Sequence, residues 1–352
     1  MLALVGVAQA ACATVAPPAA TTPAATAQQY LDHGRALIAR GEMAAAATAL
    51  RAALRREPDL IEARASLGLA LYGTGDLDAA VEELRAALSR EPDAVAARLT
   101  LATVLVAKQD WGAARVELEQ ILSAHPELLQ AHYSLGVVRY AQGDLDGAIE
   151  AYRRVLAGDP QNQDARYSLA LVLKLVHRET EATPELLGAA EAGHARAQYF
   201  IGTAYASGVG VERDLAMAIM WWFRAAEQGV TQADEALAQL RQVALGRGRR
   251  VPSDREAVEQ AFRDYRTALW RDFPDLAANG DDTVGGALLR RGRAREAVPV
   301  LIREAGALSE PAQRLLETLY EQGVEGQLPA HDPRILGYFN RAAAEGLRAP
   351  VR

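Results

Sequence analysis

The sequence predicts an all-α chain, an α-solenoid of stacked antiparallel helix pairs. Prolines recur at Pro58, Pro92, Pro126 and Pro160, each 34 residues after the one before. A period of that length marks units that bury their apolar faces only against their neighbours. Hydrophobic residues make up 50% of the 352 but aromatics only 6%, and Ala and Leu, both strong helix formers, supply most of that share. Runs of Val, Ile and Thr that would mark strands are scarce. At this length one ordinary compact core is not expected, which again favours an array or several domains.

Taken in order, the chain begins with a short apolar run, Leu2 to Ala8, followed by Ala8-Gln9-Ala10. Small residues at that spacing suit signal-peptide cleavage, and the run is too short to span a bilayer. Cys12 is the one cysteine, so no intrachain disulfide can form. Residues 13–26 are Ala, Pro and Thr apart from Val15 and carry no charge, a composition that reads as an extended tether. A short apolar run, a cysteine and an uncharged tether together resemble the start of a bacterial lipoprotein. That resemblance makes Cys12 the lipidation candidate and implies a periplasmic or outer-membrane-anchored protein. Read as a plain disordered tail, the same residues fit a cytoplasmic protein, and both readings stay open at this point.

Residues 27–60, 61–94, 95–128 and 129–162 align without a gap. In each unit a small step in the first helix, His33-Gly34, Leu67-Gly68, Leu101-Ala102 and Leu135-Gly136, lets a paired helix come close. Gly41-Glu42, Gly75-Asp76 and Gly143-Asp144 supply a left-handed turn and then an acidic helix start. The third unit has no glycine there and reads Gln109-Asp110-Trp111. Ala46, Ala80, Ala114 and Ala148 mark the tight crossing of the second helix, followed by Leu50, Leu84, Leu118 and Tyr152. Proline then closes the unit because it cannot continue a helix. These positions resemble the tetratricopeptide repeat over 136 residues without an insertion. A fifth unit starts with Arg166-Tyr167-Ser168-Leu169-Ala170 and leaves the pattern near Glu179.

Beyond it, Ala189-Ala190-Glu191-Ala192-Gly193 recurs 36 residues on as Ala225-Ala226-Glu227-Gln228-Gly229. Between them lie Tyr199, Gly202, Tyr205, Gly208-Val209-Gly210, Ala218 and Trp221. This run resembles a Sel1-like repeat, a relative of the tetratricopeptide unit with a longer glycine-containing turn. The resemblance implies that Trp221 is the packed aromatic, which leaves Trp222 as the surface candidate. Leu245 to Arg250 reads as a Gly- and Arg-rich linker, and Leu288 to Arg293 leading into Ala297 as a helix-turn-helix. Ala312-Gln313, Tyr320, Gly323 and the run Arg341 to Gly346 echo the Sel1-like unit. The expected organisation is therefore a leader over 1–12, a tether over 13–26 and a tetratricopeptide array over 27–180. A Sel1-like region over 181–245, a linker over 246–255 and a degenerate helical region over 256–352 complete it.

The formal net charge of -7 and pI near 5.5 argue against nucleic acid as the main ligand, which needs clustered Lys and Arg. None of the six histidines forms a His-Glu-x-x-His pair or a metal-ligand cluster. His33 takes a packed position, and His125 and His132 have no acidic partner at ligand spacing. Gly208-Val209-Gly210 is followed by Glu212-Arg213-Asp214 rather than by a phosphate-loop lysine, so it reads as a helix-helix turn. Glu82-Glu83 and Asp281-Asp282 read as solvated pairs. No G-x-S-x-G motif occurs. The expectation is a protein that is not an enzyme and has no cofactor or metal.

Function is expected on the concave face, which the first helix of each pair lines. The tetratricopeptide resemblance carries its groove-facing positions onto Leu31, Arg35 and Ile38, then Ala65, Leu69 and Tyr72. It continues through Leu99, Thr103 and Val106 to Tyr133, Val137 and Tyr140, and ends on Tyr167, Leu171 and Lys174. Apolar lining with four tyrosines suits an amphipathic helix or extended apolar peptide of another protein. A carboxylate clamp of the family kind would need Lys and Asn where this chain has Leu31 and Arg35, then Ala65 and Leu69. The architecture resembles alginate-export and pilus-assembly lipoproteins, which implies a scaffold of a secretion, pilus or polysaccharide-export assembly, with membrane contact only through a lipid at Cys12. The alternative is a cytoplasmic adaptor or chaperone-like regulator.

Overall fold

The computed structural model describes residues 26–246, 252–276 and 283–347. The leader, Cys12 and most of the tether lie outside these residues, as do Asp281-Asp282 and the middle of the expected linker. The described residues form α-helices joined by turns, with a 3-10 turn over Trp270–Asp272 and one isolated β-bridge between Val324 and Leu328. They divide into two compact units, the division falling between Pro160 and Gln161. No helix among the described residues is long and apolar enough to cross a membrane.

The first unit holds four helix pairs: α1 (Ala27–Ala39) with α2 (Met43–Arg56), α3 (Ile61–Thr74) with α4 (Leu77–Arg90), α5 (Val95–Ala107) with α6 (Trp111–Ala124), and α7 (Leu129–Ala141) with α8 (Leu145–Gly158). Each pair turns through one left-handed residue. Gly41, Gly75 and Gly143 have φ of 78°, 86° and 80°, and Gln109 takes the same role at 60°. The third turn thus keeps its geometry without glycine, at the cost of steric strain on the Gln109 Cβ. Asp76, Asp110 and Asp144 then cap the second helices by accepting the N–H of Ala79, Ala113 and Gly147.

Close packing inside a pair comes from one glycine and one knob. A β-carbon on Gly34, Gly68 or Gly136 would lie 2.6, 2.5 and 2.6 Å from Leu50, Leu84 and Tyr152 respectively. The third pair uses Ala102 and Leu118, both buried. Between pairs runs a polar clasp. Arg64 donates to the Pro58 carbonyl at 2.7 Å and to Glu83 at 3.0 Å. One repeat on, Arg98 donates to the Pro92 carbonyl at 2.5 Å and to Glu117 at 2.6 Å. His132 Nε2 lies 2.8 Å from the Pro126 carbonyl. His33 is half-buried, and its Nδ1 is shielded without a partner among the described residues.

The second unit comprises α9 (Gln163–Leu175), α10 (Glu179–Glu191), α11 (Ala195–Ser207), α12 (Leu215–Glu227), α13 (Thr231–Ala244), α14 (Pro252–Leu269), α15 (Val284–Arg290), α16 (Ala294–Gly306), α17 (Glu310–Gln322) and α18 (Pro333–Ala344). The fifth repeat is a full pair here, α9 on α10, where the sequence suggested a fading one. His177, with φ of 56°, replaces the turn glycine. Arg166 and Glu185, 3.4 Å apart, repeat the pairing of Arg64 with Glu83. Gly285 faces Leu301 at 2.3 Å from an added β-carbon, the same sixteen-residue spacing as Gly68 to Leu84, so α15 and α16 form another pair of this kind.

The α11–α12 turn is longer and passes through Gly208 and Gly210, with φ of 77° and 75°. It moves the knob. Gly202 faces Trp222, 2.7 Å from an added β-carbon, and the Trp222 indole N–H donates to the Tyr199 carbonyl at 3.2 Å. Trp222 is 6% exposed and Trp221 3%, so the surface role expected of Trp222 does not hold. The extra turn residues bring Trp222, not Trp221, to the crossing with the glycine.

Candidate functional site

In the first unit the first helices pack side by side, α1 on α3, α3 on α5 and α5 on α7, more closely than the second helices do. They therefore form the inner layer of this unit, and the solvent side of that layer is the candidate face. Its apolar residues are not equally available. Leu69 is 36% and Tyr140 46% exposed. Ile38, Ala65, Tyr72, Leu99, Val106 and Val137 are half-buried, packed at one edge while the other meets solvent. Arg35 is exposed and supplies the charge at the α1 end.

Other sequence-derived positions point inward. Leu31 is 1% exposed and belongs to the core, because α1 turns that face toward α2. Thr103 is half-buried and returns its hydroxyl to the Leu99 carbonyl at 2.9 Å. Tyr133 is half-buried, its ring 5.7 Å from that of the knob Tyr152. What remains is a strip of aliphatic and aromatic surface, Leu69, Tyr72, Val106, Val137 and Tyr140, with Arg35 beyond it.

The second unit holds Tyr167, Leu171 and Lys174 on α9. Tyr167 stacks on His194 at 4.2 Å, and Lys174 lies 5.2 Å over the Phe200 ring. Both are thus engaged by α11. His194 is committed as a helix cap, its Nδ1 accepting the Ala197 N–H at 3.1 Å. Burial lowers its pKa, against the pull of Asp164, which favours the neutral ring that the cap requires.

Sequence reasoning did not foresee a cavity of about 240 Å³ in the second unit, between α12, α13, α16 and α18. Phe223, Leu237 and Tyr338 wall it, and Asp234, Arg241, Arg341 and Glu345 bring charge to it. The 104-residue separation of Arg241 and Glu345 explains why no local pattern announced it. Among the described residues no group of three His, Cys, Asp or Glu could hold a metal ion.

With that geometry in view, comparison with known proteins gives two family matches. Residues 18–167 match the family described as the cytochrome c-type biogenesis protein H TPR domain, and residues 139–205 match the tetratricopeptide repeat family. No curated protein matches the chain. Among solved structures it is similar to MamA from residue 41 to its end, from Desulfovibrio magneticus RS-1, at 23% identity. That match covers 48% of this chain and 96% of the other, with a TM-score of 0.45. It is also similar to YrrB, described as a TPR protein with an unusual peptide-binding site, at 20% identity. There the match covers 47% of this chain and 86% of the other, with a TM-score of 0.42.

Proposed function

We propose, from the premise that this chain is a tetratricopeptide repeat protein over residues 18–205, that it is a protein-binding scaffold. In this reading the face of α1, α3, α5 and α7 holds an apolar helical or extended segment of a partner. The observation that carries it is the strip of Leu69, Tyr72, Val106, Val137 and Tyr140 on adjacent helices, apolar surface that the unit's own core leaves partly uncovered. Tyrosine anchors such interfaces because it buries a large area and keeps a polar tip. Residues 181–245 we read as Sel1-like, on the strength of the long glycine turn.

The partner, on this proposal, belongs to a multi-protein assembly of the bacterial envelope. Three features support that: the apolar run before Cys12, the uncharged tether after it, and a family description that names cytochrome c biogenesis. That description favours an assembly concerned with cytochrome maturation over secretion, pilus or polysaccharide export. The competing placement is a cytoplasmic adaptor.

Crosslinking of the full chain, followed by a binding titration with the captured partner, tests the face. Leu69 and Tyr140 are 36% and 46% exposed, so replacing both with Ala also removes some packing, and a melt first establishes that the double variant stays folded. Partner affinity is expected to fall by at least ~2 kcal/mol, the scale of interface anchors. Undiminished affinity in a folded double variant would reject the face. Fractionation of the parent beside Cys12→Ala tests the location. Release of the variant from membranes supports a lipid anchor, and a cytoplasmic parent rejects the envelope reading.

A further inference from the structure

A charge taken into apolar surroundings is costly unless it finds a partner, and the cavity of the second unit pairs its more buried charges while leaving half-buried Asp234 and exposed Arg341 at its mouth without an ion pair among the described residues. Arg241, 6% exposed, donates to both oxygens of Glu345 at 2.6 Å and to the Gly306 carbonyl at 3.3 Å. At one side Arg303 donates to Glu227 at 2.7 Å. These four charges are matched. Asp234 and Arg341 line the same cavity and make no hydrogen bond or ion pair among the described residues. Burial pushes the Asp234 carboxyl up from the usual carboxylate range, while Arg341 and then Arg241 draw it down and Glu345 raises it. The aspartate therefore feels Arg341 without touching it.

The remaining space is about 240 Å³, equal to about eight waters at ~30 Å³ each, room for one amino-acid-sized occupant. Its deeper wall is apolar, Phe223, Leu237 and Tyr338 being 9%, 1% and 6% exposed. Asp234 is half-buried and Arg341 exposed, which sets the two unmatched charges toward the mouth. A simple anion would answer Arg341 and be repelled by Asp234, and a simple cation would do the reverse. One terminus of a peptide brings only one of the two charges. An occupant carrying both signs at one end and an apolar body at the other complements both mouth charges and the apolar wall.

We propose that this cavity binds a free α-amino acid with an apolar side chain. Its ammonium group meets Asp234, its carboxylate meets Arg341, and its side chain lies against Phe223, Leu237 and Tyr338. The site is independent of the partner-binding face, since every residue of it lies in the second unit.

Calorimetric titration of the full chain with leucine and with phenylalanine tests this, beside N-acetyl-leucine and leucinamide, each of which lacks one charge. One of the free amino acids is expected to bind with a single-site isotherm and raise the melting temperature. Each leucine derivative should bind at least ~10-fold more weakly than leucine, the loss of one charge-assisted contact. Asp234→Asn should abolish the discrimination against N-acetyl-leucine, and Arg341→Gln that against leucinamide. Neither side chain has a bond to lose, so both variants keep the parent's melt. Should a variant melt early, the derivatives on the unaltered protein still decide. Absence of binding by both amino acids at millimolar concentration, or equal binding of leucine and its derivatives, overturns the proposal.

Discussion

Adding a single carbon at Gly68 probes the spacing of the second helix pair. In Gly68→Ala the new carbon would sit 2.5 Å from Leu84 Cγ and 2.9 Å from Cδ2, against the ~3.5–4.0 Å at which carbon atoms attract. Leu84 is 0% exposed, so it cannot yield into solvent. Overpacking of this kind costs ~1–3 kcal/mol, offset by the ~1 kcal/mol that alanine gains over glycine inside a helix. A net loss of up to ~2 kcal/mol is expected. Leu84→Ala alone empties a fully buried site and should cost ~2–5 kcal/mol. Combined, the two changes cease to conflict, because the added methyl enters space that the leucine has left. The double variant should therefore be more stable than the sum of the single losses by ~1–2 kcal/mol. Urea titrations followed by far-ultraviolet circular dichroism give the four free energies, comparable where the slopes agree. Additive losses, equal within ~0.5 kcal/mol, would refute the knob-on-glycine account of the pair.

Two other changes follow from backbone and charge. Gln109→Gly relieves a left-handed β-carbon on an exposed turn and should stabilise the first unit by about 1 kcal/mol, or ~2–4 °C in a melt; a lower melting temperature would contradict it. Glu304, 2% exposed, accepts the N–H groups of Val284 and Gly285 at 2.7 and 3.1 Å, yet burial pushes its pKa up to about 7. Its folded form holds a proton more tightly than the unfolded chain, so its contribution is complete below pH ~4.5 and is lost as pH rises toward ~7. The parent should lose about 3 kcal/mol across that window relative to Glu304→Gln. Parallel stability profiles of the two proteins would show that the carboxyl does not titrate there.

The helix pairs were legible because a repeat states its rules several times over. The glycine at 34, 68 and 136, the knob sixteen residues later and the closing proline are all readable by position. Gln109 shows the limit: the sequence marked a missing glycine, and only the backbone reveals that the turn persists regardless. The clasp was readable too, as Arg64, Arg98 and Arg166 share one position and Glu83, Glu117 and Glu185 follow each by nineteen. Leu31 fell on the wrong side because a rule of position ignores how far a particular helix is rotated. Trp222 was misjudged because the added turn residues shift the crossing. The cavity was illegible, since its charged groups come together from α12, α13, α16 and α18 with no repeating interval.

The arginine clasps have a consequence for how the first unit comes apart. Each ties a helix to the proline carbonyl near the end of the preceding repeat and to its own partner helix, so the boundary between neighbours carries electrostatic coupling as well as apolar contact. At the same position in the first repeat stands Tyr30, covered by Arg56 at 4.4 Å, and among the described residues no such latch exists there. In a one-dimensional array the steepness of unfolding reports neighbour coupling rather than the strength of any single repeat. Guanidinium, the arginine head group in free form, competes for both acceptors of every latch. Urea carries no charge with which to do so. The latches thus make the array's cooperativity, more than its total stability, the property that depends on the denaturant chosen.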